Sequence, residues 1–242
     1  MERSGPRRAA AWGVHLYTAL GLPLAFLAAG ALAERDAQRF FALLYAAVAV
    51  DGTDGVLARA VRVREVLPEL DGRRLDDLVD FLTYAFLPAL SLVAFDLLPA
   101  GTELAAAVPL VASAYGFCQE RAKTDESFVG FPSYWNVVVL YLYVLGTGPK
   151  WNLAIVLVFS AMVFVPVHYV YPTRTRKLRR TTLGVLVAWA VALAVLIADL
   201  EASRGSIPAL LTLAGPAYYA AVSWVHHSRL RRSALRQPPP AH

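Results

Sequence analysis

Apolar residues occupy this chain in long blocks with short polar breaks between them, without the strict alternation of a half-buried strand. The blocks cover residues 9–33, 37–60, 75–98, 102–120, 134–147, 151–171, 182–199 and 206–226. A helix needs about 20 apolar residues to cross a hydrocarbon layer about 30 Å thick. All but the shortest block, 134–147, meet or approach that length. The pattern therefore predicts a bundle of about eight transmembrane helices joined by brief loops. The first block is too long for a signal peptide and further apolar segments follow it, so it reads as the first span.

One stretch departs from the pattern. Asp51, Asp54, Asp76 and Asp80 bring carboxylates to the edges of the second and third blocks. Charged groups are costly in a bilayer and mark function there by default. On helices, Asp51, Asp54 and Ala58 share one face, and Asp76 and Asp80 share a face of the next. If the two helices form a hairpin, all the carboxylates converge at one depth, where like charges must be neutralised. Oxygen-only donors favour a hard divalent cation, Mn²⁺ or Mg²⁺. Gly55 and Ala58 keep the same face small, so that a phosphorylated group can approach the backbone, and Arg59 adds a cation for phosphate. These residues describe a site for a metal-bound diphosphate.

Charge then orients the bundle. With the N-terminus inside, only Arg35, Arg39, Lys150 and Arg204 of the 23 lysines and arginines fall in outer loops. That bias places both termini and the carboxylate hairpin on the cytoplasmic side. A hydrophobic content of 57% excludes an ordinary soluble domain. The expected fold class is an all-α integral membrane protein, a single domain over 1–242 with short cytoplasmic tails at 1–10 and 228–242. The single cysteine, Cys118, excludes an intrachain disulfide and is expected to be a small buried packing residue. The basic run Arg174, Arg176, Lys177, Arg179 and Arg180 reads as a topological determinant that meets anionic lipid headgroups, not as a nucleic-acid site. His15 and the pair His226-His227 read as interfacial residues.

Spelled out, the stretch is Asp51-x2-Asp54-Gly55-x2-Ala58-Arg59-x12-Gly72-x3-Asp76-x3-Asp80. It resembles the signature of the CDP-alcohol phosphotransferases, Asp-x2-Asp-Gly-x2-Ala-Arg-x8-Gly-x3-Asp-x3-Asp, and departs from it in the longer connection between Arg59 and Gly72. That connection, with Leu67-Pro68-Glu69-Leu70-Asp71-Gly72, Gly130-Phe131-Pro132-Ser133-Tyr134-Trp135-Asn136 and Tyr171-Pro172-Thr173-Arg174-Thr175-Arg176, resembles the branch of the family whose acceptor is choline. The resemblance covers most of the chain. It implies a six-helix catalytic core, a homodimer and a bacterial inner (cytoplasmic) membrane location. It implies transfer of a phosphatidyl group from CDP-diacylglycerol to choline with release of CMP, dependent on Mn²⁺ or Mg²⁺. It also implies Asp51, Asp54, Asp76 and Asp80 as metal ligands, with Asp80 also the general base. Asp54, Gly55, Ala58, Arg59 and Gly72 match the contacts to the cytidine diphosphate, and Thr18 matches a polar position that approaches the nucleotide.

A quaternary ammonium donates no hydrogen bond, so choline is expected to meet aromatic faces and a carboxylate. Tyr84 lies four residues beyond Asp80 on the same helix face, Tyr134 and Trp135 enter the fifth span, and Tyr115 and Glu120 lie near the end of the fourth. Other acceptors of the family are glycerol phosphate, inositol phosphate and serine, and the phosphorylated ones would need fixed cations beside the metal. From another class, a cation transporter would hold its carboxylates near the membrane centre. Here they abut a charged loop.

Overall fold

The computed structural model describes residues 5–119, 127–170 and 179–234. The first apolar block forms α1 (Gly5–Ala19) and α2 (Gly21–Ala33), which run on as one span with only Leu20 between them. Asp36 then starts α3 (Ala37–Val61), its carboxylate accepting a hydrogen bond from the Arg39 N–H at 2.9 Å. The helix stops where Arg62 adopts a left-handed conformation, and a single turn, α4 (Val63–Val66), follows. Asp71 caps α5 (Gly72–Asp80) by accepting from the backbone N–H groups of Arg73 and Arg74. α5 passes without a break into a π-helical turn, Phe81–Phe86, and then α6 (Leu87–Ala94).

A 3₁₀ turn at Glu103–Ala106 leads into α7 (Ala107–Cys118), and β1 (Ser127–Val129) follows. Next come α8 (Trp135–Leu145), α9 (Pro149–Met162) and β2 (His168–Val170), and then α10 (Arg179–Ala198). The single turn α11 (Leu200–Ser203), α12 (Ile207–Thr212) and α13 (Ala214–Ala234) complete the described chain. β1 and β2 pair antiparallel with Phe128 opposite Tyr169, a minor addition to an all-α membrane bundle.

Four of the described helices are long and apolar enough to span: Gly5–Ala33, Ala37–Val61, Gly72–Ala94 and Arg180–Ala198. Glu103–Cys118, Trp135–Leu145 and Pro149–Met162 are shorter apolar helices, at the places of three further expected blocks. Two blocks differ from expectation. The helix predicted over 151–171 ends at Met162, and the chain then turns into β2. The block at 206–226 is divided, with α12 ending at Thr212 and α13 carrying on to Ala234.

Between apolar helices in lipid, close packing and buried polar contacts replace the hydrophobic effect as the attraction. Small residues serve the first purpose: Ala25, Ala28 and Ala31 of α2 are buried in the core. Phe40, Phe41, Phe95 and Tyr143 interlock with ring centroids 5.2–6.0 Å apart. Buried donors are satisfied across helices, Tyr45 Oη donating to the Ala190 carbonyl at 2.9 Å and Trp189 Nε1 to Tyr141 Oη at 3.0 Å.

The lengthened connection between Arg59 and Gly72 has its own packing role. Val63, Val66 and Leu67 bury against Ala11 and Val14 of α1, and Ala58 packs against the same group. Arg8 on α1 reaches Glu69 at 2.7 Å. The extra residues thus clasp α1 to the carboxylate hairpin. Cys118 is exposed at the last position of α7, contrary to the expected buried packing role, because that helix end lies outside the core.

Candidate functional site

α3 and α5 bring their carboxylates together as the helical spacing requires. Asp51, Asp76 and Asp80, all half-buried, each offer an oxygen, and these oxygens lie within 4.8 Å of one another. If charged and separated by that distance, each pair repels by about 3–4 kcal/mol at an effective dielectric near 20. A divalent cation reverses the sign of this cost. The donor set suits one, being oxygen-only, preorganised on two helices and only half-buried, so that Asp51, Asp76 and Asp80 fit a hard ion such as Mg²⁺ or Mn²⁺.

Asp54, expected as a further ligand, is not among the three carboxylates whose oxygens lie within 4.8 Å of one another. It is 7% exposed and its Oδ2 accepts from Thr18 Oγ1 at 2.7 Å, which ties α3 to α1. Thr18 therefore meets the motif through Asp54. Nearby, the Tyr17 and Thr53 hydroxyls lie 2.8 Å apart.

Arg59 is exposed one turn past Gly55, and a Cβ at Gly55 would sit 3.3 Å from its Nη1. The missing side chain lets the guanidinium fold back along α3 toward the carboxylates. Gly72 is tight against another neighbour. A Cβ there would come 2.7 Å from His15 Cε1 and 3.2 Å from its Nδ1. His15 is buried, 6% exposed. The other histidine pair is also integrated into the fold, since His227 Nδ1 accepts from the His168 N–H of β2 at 3.2 Å.

The π-helical turn after Asp80 carries Tyr84, and widened turns of this kind recur at functional sites. Tyr84 Oη donates to Asp51 Oδ2 at 2.7 Å, so its hydroxyl orients a member of the carboxylate trio. From Tyr84 an aromatic series leads away: Tyr134 at 6.1 Å between ring centroids, Tyr219 of α13 at 6.1 Å from Tyr134, and Tyr169 of β2 at 6.3 Å from Tyr219. Tyr219 is fixed by donating to the Val170 carbonyl at 3.0 Å.

The other aromatic candidates lie elsewhere. Trp135 is 0% exposed, its Nε1 donating to Ser113 Oγ at 2.8 Å and its ring edge-on to Phe131. Its neighbour Tyr134 points to Tyr84, so adjacent positions at the start of α8 face opposite ways. Tyr115 is exposed and lies tilted against Phe164 with centroids 4.8 Å apart. Glu120 lies outside the described residues, as do Tyr171–Arg176 and Lys177. Sequence reasoning missed His15, Tyr169 and Tyr219. His15 had a local signal, lying three residues before Thr18 on the same helix face. Tyr219 and Tyr169 had none, being brought to Tyr134 by tertiary packing alone.

No family model matches the chain. Individual relatives do. A phosphatidylcholine synthase of Pseudomonas aeruginosa is 42% identical over 219 residues, 89% of this chain and 91% of that protein. The phosphatidylcholine synthase of Bradyrhizobium diazoefficiens is 37% identical over 86% of this chain and 79% of its own length. That of Rhizobium meliloti is 38% identical over 75% of this chain and 76% of its own. Likeness of this extent, on a helical membrane bundle that gathers Asp51, Asp76 and Asp80, shows that the chain belongs to the phosphatidylcholine synthase family.

Proposed function

We propose that this protein transfers the phosphatidyl group of CDP-diacylglycerol to choline and releases CMP, at a site opening to the cytoplasmic face of a bacterial inner membrane. The observation that carries the reading is the gathering of Asp51, Asp76 and Asp80 beside a run of uncharged aromatic rings. Asp51, Asp76 and Asp80 would hold Mn²⁺ or Mg²⁺, whose charge would offset that of the phosphoryl oxygens and of the departing CMP. Asp80 accepts the proton of the choline hydroxyl. The choline oxygen then bonds to the phosphorus that carries diacylglycerol, and the bond from that phosphorus to the CMP oxygen breaks. Arg59 and the small face of Gly55 and Ala58 receive the donor diphosphate, and Asp54 is held toward the donor by Thr18.

The acceptor side favours choline over phosphorylated alcohols. Tyr84 bonds to Asp51, Tyr134 lies against Tyr84 and Tyr219 lies against Tyr134, and none of the three supplies the fixed cation that an acceptor phosphate requires. Phenol faces suit a quaternary ammonium, at about 0.5–2 kcal/mol per contact. The chain acts as a single eight-span catalytic domain, and as a homodimer.

The test is an acceptor screen with purified protein, CDP-diacylglycerol and Mn²⁺. CMP release should depend on choline and leave serine, inositol, inositol phosphate and glycerol phosphate unused. Release of CMP with a phosphorylated alcohol in preference to choline would overturn the acceptor assignment. Cation flux across sealed vesicles without CMP release would replace the enzyme by a transporter.

A further inference from the structure

The two-stranded sheet reaches the aromatic series from both of its strands. β1 ends at Val129 and leads within a few residues to Tyr134, while β2 carries Tyr169, whose ring stacks on Tyr219 with centroids 6.3 Å apart. The segment after β1 is anchored, Gly130 N–H donating to the Val167 carbonyl at 2.9 Å and Phe131 N–H to the Met162 carbonyl at 3.1 Å. A pair of strands leaves one edge of each unpaired, and backbone groups on that edge must bond elsewhere. On β2 the open edge is closed by side chains of α13. Val170 N–H donates to Ser223 Oγ at 3.1 Å, His168 N–H donates to His227 Nδ1 at 3.2 Å, and the Val170 carbonyl accepts from Tyr219 Oη at 3.0 Å. Tyr219, Ser223 and His227 follow one another at four-residue spacing, so they form a single stripe along α13 that takes the place of a third strand.

The two ends of this stripe do different things. At one end the Tyr219 ring lies against Tyr134, which lies against Tyr84. At the other, two turns away, the His227 ring stacks on His168 with centroids 5.8 Å apart, and His168 Nδ1 lies 2.9 Å from Ser127 Oγ of β1. His227 therefore grips both strands. None of these bonds involves α1, α3 or α5, the helices of the carboxylate motif. A cation gains from an aromatic ring only over its face and within about 6 Å of its centroid, so a small rotation of α13 removes the contact at Tyr219. We propose that His227 is a positioning residue for the choline side of the site: its Nδ1, by holding β2 against α13, fixes the rotation of α13 at which Tyr219 meets Tyr134. The inference rests on the reading of Tyr84, Tyr134 and Tyr219 as the wall that receives choline.

CMP release by purified full-length protein in detergent tests it, with choline, CDP-diacylglycerol and Mn²⁺ varied in turn. Tyr219→Leu sets the scale, and an unchanged choline KM in that variant would refute the aromatic wall itself, separately from the role of His227. With the choline KM of Tyr219→Leu raised, His227→Ala should raise it by about two- to thirtyfold, at most the loss of one cation–π contact. The donor KM, the Mn²⁺ dependence and kcat at saturating choline should stay at their wild-type values. Adding His227→Ala to Tyr219→Leu should bring no further loss, because the ring through which His227 acts has already gone. His227→Asn, whose Oδ1 can accept where Nδ1 did, should recover most of the choline affinity. His227→Phe keeps a ring against His168 without the hydrogen-bond acceptor, so it should match His227→Ala and serves where the alanine variant folds poorly. A wild-type choline KM in either His227→Ala or His227→Phe overturns the proposal. So does an equal rise in donor KM in His227→Phe, or a double variant in which the two single losses multiply.

Discussion

Removing one oxygen from Tyr84 separates the two roles proposed for this residue. In Tyr84→Phe the ring stays beside Tyr134, and only the bond from Oη to Asp51 Oδ2, 2.7 Å long, is lost. A hydrogen bond to a charged group contributes about 1.5–3 kcal/mol, and about 1.4 kcal/mol corresponds to a factor of ten. The variant should therefore need about ten- to a hundredfold more Mn²⁺ for half-maximal CMP release, the range found when a group orienting a metal ligand is removed. Its choline KM should move by less than about twofold, since the aromatic face that attracts the ammonium is retained. Tyr84→Leu removes both contributions, and its choline KM should rise as well. The assay is CMP release titrated with Mn²⁺ at saturating donor and choline, repeated with choline varied at saturating Mn²⁺. Wild-type Mn²⁺ dependence in Tyr84→Phe would refute the orienting role, and an unchanged choline KM in Tyr84→Leu would remove the ring from the acceptor wall.

Among the aspartates, Asp51→Asn, Asp76→Asn and Asp80→Asn should each abolish turnover in a protein that still inserts and folds, with Mn²⁺ binding weakened most by the first two. Asp54→Asn and Thr18→Val disturb the same bond outside the trio, so both should raise the CDP-diacylglycerol KM by about tenfold while leaving Mn²⁺ dependence in place; a shift in Mn²⁺ dependence would return Asp54 to the metal site. Tyr219→Leu should raise the choline KM by about two- to thirtyfold if its ring extends the acceptor wall, the span of about 0.5–2 kcal/mol for a cation–π contact, with donor KM unchanged. Trp135→Leu should act on stability instead, at about 3 kcal/mol for a large core truncation, read as a lower melting temperature in detergent with an unchanged choline KM in the surviving fraction.

The apolar blocks and the spacing of the aspartates are local properties, and local physics was enough to read them. Twenty apolar residues can satisfy their backbone in lipid only as a helix, and positions three or four apart on a helix must share a face. Hence Asp51 and Asp54, like Asp76 and Asp80, were legible as paired carboxylates before any tertiary contact was known. Choices between nearly equivalent arrangements belonged to the tertiary structure. Asp51 and Asp54 lie on one face, yet only the packing of α1 puts Thr18 within 2.7 Å of Asp54 and leaves Asp51 to join the trio. Tyr134 and Trp135 are neighbours of similar chemistry, and the start of α8 sends one toward Tyr84 and buries the other beside Ser113. His15 reads as an interfacial residue from its place near the start of a span, and the clasp formed by the connection after Arg59 packs α1 so that the ring is buried against Gly72. Tyr219 reaches Tyr134 from the far end of the chain. Sequence periodicity determines which residues share a helix face, whereas the partner of that face depends on helix rotation and depth, which packing across the whole bundle decides.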